Sequence, residues 1–281
     1  MNTPAPSVAV FGLGIIGSTW ARHLDQDGVL AAAWNRTPQP DFPRWVNQPA
    51  EAAHRAEVLL LVVADPPAVE GMLHSLEGVL EARHLVIQSS TIDPESSRAF
   101  ETLVTRRGAA YVEAPFTGSK PAAEQRQTIF YLGGAAAAVE RARPVLERLS
   151  RQQFIIGTGA QAATLKLACN LQIVTQLEAL CEALAWSRQA GIPDDTFFGA
   201  LRTNAAWSGV ANLKEPKLRT GDFTPQFSIK HMLKDLRLAL GDRPGLLPVV
   251  ETVAERLQAV QDRGGGDDDM SALYRLLDTG P

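Results

Sequence analysis

The first half of the chain alternates short apolar runs with segments in which apolar residues recur every three or four positions. The apolar runs cover residues 8–11, 29–34, 58–63, 85–87, 109–112, 128–132 and 154–156. Because nearly every position in them is apolar, they are typical of strands buried on both faces. The intervening helical spacing favours crossovers between parallel strands. The pattern predicts an α/β domain with a doubly wound, mainly parallel sheet covered by helices on both faces.

A glycine motif follows the first apolar run, and its residues are Gly12, Leu13, Gly14, Ile15, Ile16 and Gly17. Gly12 would allow a tight turn, Gly14 would let the backbone approach a pyrophosphate, and Gly17 would let the next helix pack closely. The phosphates would bind at the N-terminus of that helix, where the helix dipole favours negative charge. An ordinary strand-to-helix turn without a ligand is the alternative. The strand, helix and second strand around the motif favour a dinucleotide in a Rossmann-type domain.

The residues after the second strand, Asn35, Arg36 and Thr37, indicate which dinucleotide is preferred. A carboxylate at this position would bind the ribose hydroxyls of NAD and repel a 2′-phosphate. Here a guanidinium is available instead, and it can pair with a 2′-phosphate through two charge-assisted bonds. The sequence therefore predicts NADP(H) in preference to NAD(H). The alternative is that Arg36 is a solvated loop charge.

After residue 159 the pattern becomes helical, and no further strand is expected. We predict residues 1–159 as the NADP-binding domain and residues 160–281 as an all-α domain for substrate binding and dimerisation. A long interdomain helix should run over about residues 160–190, for roughly 45 Å. It is apolar on more than one face, which favours a homodimer or homotetramer, while a monomer stays open.

Composition narrows the function classes. The chain has 281 residues, a net charge of −4 and no dense run of Lys and Arg, so we expect no nucleic acid partner. No apolar run approaches the roughly 20 residues that span a bilayer, and we expect no membrane association. The two cysteines lie in a helical apolar pattern, which favours reduced thiols and a cytoplasmic protein. The five histidines lack ligand spacing, so no metal site is predicted.

Two segments carry candidate chemistry. Lys166 and Asn170 are four residues apart on the long helix and share one face, where they could donate a proton to a carbonyl and position it. The same spacing is usual for a solvated helix face. Residues 113–121 form a predicted loop after an apolar strand and offer the Thr117 and Ser119 hydroxyls. This segment could equally be an ordinary turn.

Together these motifs resemble the β-hydroxyacid dehydrogenase family, of the 3-hydroxyisobutyrate dehydrogenase type, over nearly the whole chain. The likeness to the glyoxylate and succinic semialdehyde reductase branch is the strongest. The segments that carry it are residues 12–17, Asn35-Arg-Thr37, Ser90-Thr91, Glu113-Ala-Pro-x-Thr-Gly-Ser119, Lys166-x-x-x-Asn170, Lys234-Asp-Leu-Arg-Leu-Ala239 and Asp269-Met-Ser-Ala-x-Tyr-Arg275.

The resemblance implies a role for each matching residue. Lys166 would be the catalytic acid or base, and Asn170 would help to hold the substrate. Thr117, Gly118 and Ser119 would bind the substrate carboxylate. The remaining residues of the expected site are Val63, Ala64, Thr91 and Lys234 for the cofactor, with Phe227 and Asp235 for the substrate.

The resemblance also implies a reaction: NADPH-dependent reduction of a small aldehyde- or keto-acid, or the reverse oxidation of a β-hydroxyacid. Imine reduction on the same scaffold is one alternative, although relatives with that chemistry usually carry another residue at the lysine position. A non-catalytic cofactor-binding module is the other. Two departures matter. Thr117 replaces the usual Ser, and Arg126-Gln127-Thr128 replaces the usual Gly-Thr-Leu, which leaves the substrate within the branch open.

Overall fold

The computed structural model describes residues 6–241 and 245–278. Eight strands form one sheet in the described part of the chain. They are β1 (Val8–Phe11), β2 (Leu30–Trp34), β3 (Val58–Leu61), β4 (Leu85–Gln88), β5 (Ala110–Glu113), β6 (Phe116–Thr117), β7 (Thr128–Gly134) and β8 (Ser150–Gly157). Their order is β2-β1-β3-β4-β5-β7-β6, with β8 paired to β7. Strands β1 to β5 are parallel, as the sequence predicts, whereas β7 runs antiparallel to β5 and β6.

Six helices accompany the sheet in the described residues. They are α1 (Ile15–Gln26), α2 (Pro49–Arg55), α3 (Pro66–Leu76), α4 (Pro94–Arg106), α5 (Lys120–Glu124) and α6 (Ala136–Glu147). Several begin where the sequence supplies an N-terminal signal. Asp65 accepts a hydrogen bond from the Ala68 amide at the start of α3, and Asp93 accepts from Glu95 and Ser96 at the start of α4. Each cap is followed by a proline, whose missing N–H costs nothing in the first turn.

Alternate residues of the strands pack into two separate apolar clusters, one on each face of the sheet. On β1, Val8 and Val10 pack in one cluster with Trp20 of α1, whereas Ala9 and Phe11 pack in another with the apolar face of α3. The period-two alternation of side chains therefore buries both faces of the strand. This explains the unbroken apolar runs and confirms the predicted doubly covered α/β sheet.

The long helix α7 covers Gly159–Gln189 and agrees with the predicted span to within one residue at each end. The chain divides into two compact units, and the division falls within α7, between Lys166 and Leu167. The other helices of the second unit are α8 (Asp194–Arg202), α9 (Gly209–Thr220), α10 (Ile229–Leu240) and α11 (Pro248–Val260). One apolar cluster from α7 to α11 forms its core. No strand occurs among its described residues.

The chain bends after α11, at the end of the second unit. Gln261–Gly265 continues from α11 as a turn with a kink at Gly264, whose φ of +87° and ψ of 3° are not helical. A 3₁₀ helix, Met270–Leu276, follows, and Asp269 caps it by accepting a hydrogen bond from the Ser271 amide. None of the helices in the described residues is long and apolar enough to cross a membrane.

Candidate active site

The glycine motif forms a cradle at the carboxyl end of β1. A Cβ atom on Gly12 would lie 2.2 Å from the Val62 carbonyl oxygen, and one on Gly17 would lie 1.9 Å from the Gly12 carbonyl oxygen. Both positions are therefore closed to any side chain. At Gly14 no heavy atom lies within 4 Å of the Cβ position. The space beside Gly14 is open, and no side chain caps the N-terminus of α1, so the cradle fits a pyrophosphate.

Asn35 holds this cradle to the end of β2. Its Oδ1 accepts a hydrogen bond from the Leu13 amide at 3.0 Å, and its Nδ2 donates to the Thr37 carbonyl oxygen at 3.0 Å. Arg36, between them in sequence, is exposed. Within residues 6–241 and 245–278 its guanidinium makes no ion pair or hydrogen bond with another side chain. The guanidinium is therefore available to an anion.

The segments that follow β3 and β4 are tied together by Ser90. The Val63 amide donates to Ser90 Oγ at 2.8 Å, and the Ser90 amide donates to the Gln88 side-chain oxygen at 2.6 Å. Ala64 is exposed and Thr91 is half-buried. Because β1, β3 and β4 are neighbouring parallel strands, their carboxyl ends lie at the same edge of the sheet. The predicted cofactor residues of the first unit lie at this edge.

Glu113 ends β5 and is wholly buried. Its Oε1 accepts from the Gln88 side-chain amide and its Oε2 from the Tyr111 hydroxyl, each at 2.7 Å. Burial raises the pKa of Glu113 to about 8, because the loss of hydration outweighs the opposite effect of the hydrogen bonds from Tyr111 and its other neighbours. In the sequence, Glu113 is notable only as a residue of the family motif. The feature that could have identified it from the sequence is a carboxyl directly after an apolar strand.

Three predicted substrate residues of the first unit, Thr117, Gly118 and Ser119, line one groove. Thr117 belongs to β6, a two-residue strand where the sequence predicts only loop, and pairs with Ile129 of β7. Gly118 has φ +129°, which favours glycine. With Ser119 these residues line a groove of about 570 Å³, whose other polar lining residues are Gln125, Gln127 and Arg151.

Arg126 explains one departure from the family pattern. Its backbone has φ +56°, the left-handed conformation that the usual glycine adopts readily. Its guanidinium binds both carboxylate oxygens of Asp27 at 2.8 and 2.9 Å and the Arg148 carbonyl oxygen at 2.7 Å. The hydrogen bond from Arg126 lowers the pKa of Asp27. The side chain therefore anchors the end of α1 and does not line the groove.

Replacing Arg126 with Gly is expected to keep the left-handed turn and remove only this anchor. Because the ion pair is partly exposed, the expected cost is about 1 kcal/mol in the free energy of unfolding. We expect the substrate KM to stay within about twofold of the unmodified value, since only Gln127 of the altered segment faces the groove. Urea unfolding and steady-state kinetics measure the two quantities. A KM that rises tenfold would place Arg126 in substrate binding.

The second unit holds its own polar cluster, on α7 and α10. The Asn170 side-chain amide donates to Asp235 Oδ2 at 2.6 Å, and the Lys234 ammonium lies 2.9 Å from Asp235 Oδ1. Asn170 and Asp235 are only 4% and 2% exposed. Lys166, the last residue of the first unit, lies one turn earlier on the same helix and is 9% exposed. Neither Lys166 nor Asn170 therefore belongs to a solvated helix face.

Phe227 precedes α10 and is held by a buried ion pair that the sequence analysis missed. Asp269 accepts hydrogen bonds from the Gln226 and Phe227 amides at 2.9 and 3.2 Å. The Lys214 ammonium binds both oxygens of Asp269, at 2.8 and 2.9 Å, and neither side chain is exposed. The partners are 55 residues apart in sequence, so no spacing signal could have paired them.

Comparison with known proteins shows the family. Residues 7–157 match the model of the NAD binding domain of 6-phosphogluconate dehydrogenase, and residues 160–277 match the NAD-binding model of NADP-dependent 3-hydroxyisobutyrate dehydrogenase. The chain is 30% identical to glyoxylate/succinic semialdehyde reductase 1 of Arabidopsis thaliana, over 96% of this chain and 98% of that protein.

Solved structures share the fold. A 3-hydroxyisobutyrate dehydrogenase of Mycobacterium tuberculosis, studied with L-serine, has a TM-score of 0.89 at 23% identity and covers 97% of this chain and 99% of its own. An imine reductase of Myxococcus stipitatus has a TM-score of 0.68 at 20% identity, over 97% of this chain and 99% of its own. The two matched domain models and the reductase relative lead to one assignment. The chain belongs to the 3-hydroxyisobutyrate dehydrogenase-like family of NAD(P)-dependent β-hydroxyacid dehydrogenases.

Proposed function

We propose that this enzyme uses NADPH to reduce a small aldehyde- or keto-acid of the glyoxylate or succinic semialdehyde type, and that it can oxidise the corresponding hydroxy acid in reverse. The observation that carries the proposal is the burial of Lys166 one helical turn before the buried Asn170. A lysine and an amide removed from bulk water suit proton transfer and substrate binding better than a solvated face would. The likeness to glyoxylate/succinic semialdehyde reductase 1 supports the substrate class.

The proposed reaction assigns each residue one task. When bound, a nicotinamide dinucleotide would supply the hydride that reduces the carbonyl carbon. The Lys166 ammonium donates a proton to the carbonyl oxygen as the alkoxide forms, and its charge stabilises the negative charge that develops in the transition state. Asn170 holds the substrate. The Thr117 and Ser119 hydroxyls and the Gly118 backbone bind the substrate carboxylate through hydrogen bonds.

The remaining residues of the proposed site position these groups. Asp235 accepts the hydrogen bond that orients the Asn170 amide and binds the Lys234 ammonium. Val63, Ala64 and Thr91 border the nicotinamide on this proposal, and Phe227 excludes water from the reacting atoms. Direct assays with glyoxylate, succinic semialdehyde and a cyclic imine test the reaction. Turnover of the imine alone would favour an imine reductase, and NADPH binding without any turnover would favour a non-catalytic module.

The cofactor preference on this proposal depends on Arg36. Its exposed guanidinium lies next to Asn35, which holds the glycine cradle, and a 2′-phosphate is the charged group that distinguishes the two dinucleotides. Replacing Arg36 with Ala is expected to lower the NADPH-over-NADH ratio of kcat/KM by about tenfold to hundredfold, mainly through a higher KM for NADPH.

Arg55→Ala is a suitable control for this prediction. Arg55 is also an exposed arginine of the first unit, but it pairs with Glu51 one turn away on α2. Steady-state kinetics with both dinucleotides should leave the preference of this control unchanged. A ratio that does not fall in Arg36→Ala would exclude Arg36 as the group that binds the 2′-phosphate.

A further inference from the structure

Three buried polar side chains connect the carboxyl ends of β4 and β5. Gln88 and Glu113 are fully buried, and Tyr111 is 2% exposed. Glu113 accepts from Gln88 through one oxygen and from Tyr111 through the other. Apolar strands surround this cluster, so each hydrogen bond replaces one that water would otherwise make.

Gln88 uses its remaining hydrogen-bonding groups on Ser90. Its Nε2 donates to the Ser90 carbonyl oxygen at 2.9 Å, and its Oε1 accepts from the Ser90 amide at 2.6 Å. Ser90 Oγ in turn accepts from the Val63 amide at 2.8 Å. One side chain thereby fixes the segment after β4 directly and the segment after β3 through Ser90.

Glu113 also lies against the start of α7. A Cβ atom on Gly159 would be 3.2 Å from Glu113 Cβ and 2.9 Å from Ser97 Oγ. The backbone of α7 therefore packs directly on the cluster at its first residue. Lys166 follows seven residues later on the same helix, about 10 Å along its axis.

We propose that Gln88 and Glu113 are positioning residues, which together set the segments that carry Val63 and Thr91 and the helix that carries Lys166. The roles of Val63, Thr91 and Lys166 rest on the proposed function. The hydrogen bonds that join the segments are independent of it. The pair contacts neither substrate nor cofactor on this proposal. It acts by keeping the nicotinamide side of the cradle and the ammonium in one fixed arrangement.

The charge state of Glu113 makes the proposal testable. With its pKa at about 8 through burial, the carboxyl is mostly protonated at neutral pH, and its proton can lie in the 2.7 Å contact with the Tyr111 oxygen. The groups that face it are Gln88 from β4, Tyr111 from β5, Ser97 from α4 and, at longer range, the Glu101 carboxylate, which opposes ionisation. Above that pH a buried negative charge without a counter-ion would strain the cluster.

The first experiment replaces Gln88 with Met, which has a similar volume and no hydrogen-bonding amide. We expect kcat to fall by about tenfold to hundredfold, because small displacements of reacting groups are costly. Gln153→Met is the control, since Gln153 loses one hydrogen bond, to the Arg143 carbonyl oxygen, outside the cluster. Its kcat should stay unchanged. An unchanged kcat in Gln88→Met would overturn the proposal.

The second experiment measures the NADPH dissociation constant against pH for the unmodified protein and Glu113→Gln. Ionisation of the buried carboxyl is expected to displace the segments that carry Val63 and Thr91, so NADPH binding to the unmodified protein should weaken above pH 8, by up to about tenfold per pH unit. Gln cannot ionise, so this dependence should disappear in Glu113→Gln. The same pH dependence in both proteins would overturn the proposal. The measurement of NADPH binding does not require turnover. If the protein failed to reduce carbonyl acids, the proposed function would be contradicted, and the positioning role of Glu113 could still be tested.

Discussion

Replacing Lys166 with Ala is expected to lower kcat for carbonyl reduction by about 10²- to 10⁴-fold, the usual contribution of a positioned general acid. The dissociation constant of NADPH should change by less than about twofold, because the pyrophosphate and ribose are bound by other residues. Lys166→Arg should also be impaired, since a guanidinium keeps the charge but does not release its proton. Stopped-flow rates and NADPH titration measure the two effects separately.

Lys217→Ala provides the matched control for the Lys166 variants. Lys217 is a lysine of α9 whose ammonium binds the Asp222 and Thr224 carbonyl oxygens at the surface. Its removal should leave kcat unchanged. If Lys166→Ala retained kcat within about tenfold of the unmodified enzyme, Lys166 would not be the proton donor.

Replacing Lys214 with Met is expected to lower the free energy of unfolding by about 3–5 kcal/mol, because the substitution leaves the Asp269 carboxylate buried without its cation. Burial raises the pKa of Asp269, but the hydrogen bonds from Lys214 and from the Gln226 amide keep it below its usual value on balance. This carboxylate therefore stabilises the fold above its unfolded-state pKa, and the contribution is lost as pH falls through the lower folded-state pKa. Urea unfolding at neutral pH measures the loss.

Two further variants show whether burial is the cause. Lys230→Met breaks the ion pair between Lys230 and Asp267. The Lys230 side chain is half exposed, and the Asp267 side chain is 87% exposed. This loss should cost less than about 1 kcal/mol. The double variant Lys214→Met with Asp269→Leu should be more stable than Lys214→Met alone, because it buries no unpaired charge. Equal costs for the buried and exposed single variants would contradict this explanation.

Features set by neighbouring residues could be predicted from the sequence. The steric roles of Gly12 and Gly17 follow from a turn and a helix that begin within a few residues, and both close contacts are present. The span of α7 follows from an apolar pattern that ends at Gly191, whose φ of +75° stops the helix. The sheet follows from apolar runs long enough to be buried on both faces.

Features set by distant residues could not be predicted. Lys214 and Asp269 lie in separate helical segments, and nothing in either segment indicates that they pair. The anchoring of Arg126 by Asp27 joins residues 99 apart, so the sequence showed a departure without its structural reason. Strand β6 is too short for a period of two to appear. For Glu113 the sequence showed a carboxyl after a strand, but its raised pKa comes from burial in the folded sheet, which the hydrogen bonds from Tyr111 and Gln88 offset only in part.

The most direct test of the proposed reaction is a single-turnover measurement with the protein in excess over NADPH and saturating succinic semialdehyde. We expect one molecule of the corresponding hydroxy acid for each NADPH consumed, in a single fast phase that Lys166→Ala slows by about 10²-fold or more. The opposite result would be that NADPH binds and is not consumed with either succinic semialdehyde or glyoxylate. Equal rates in the two proteins would contradict the role of Lys166.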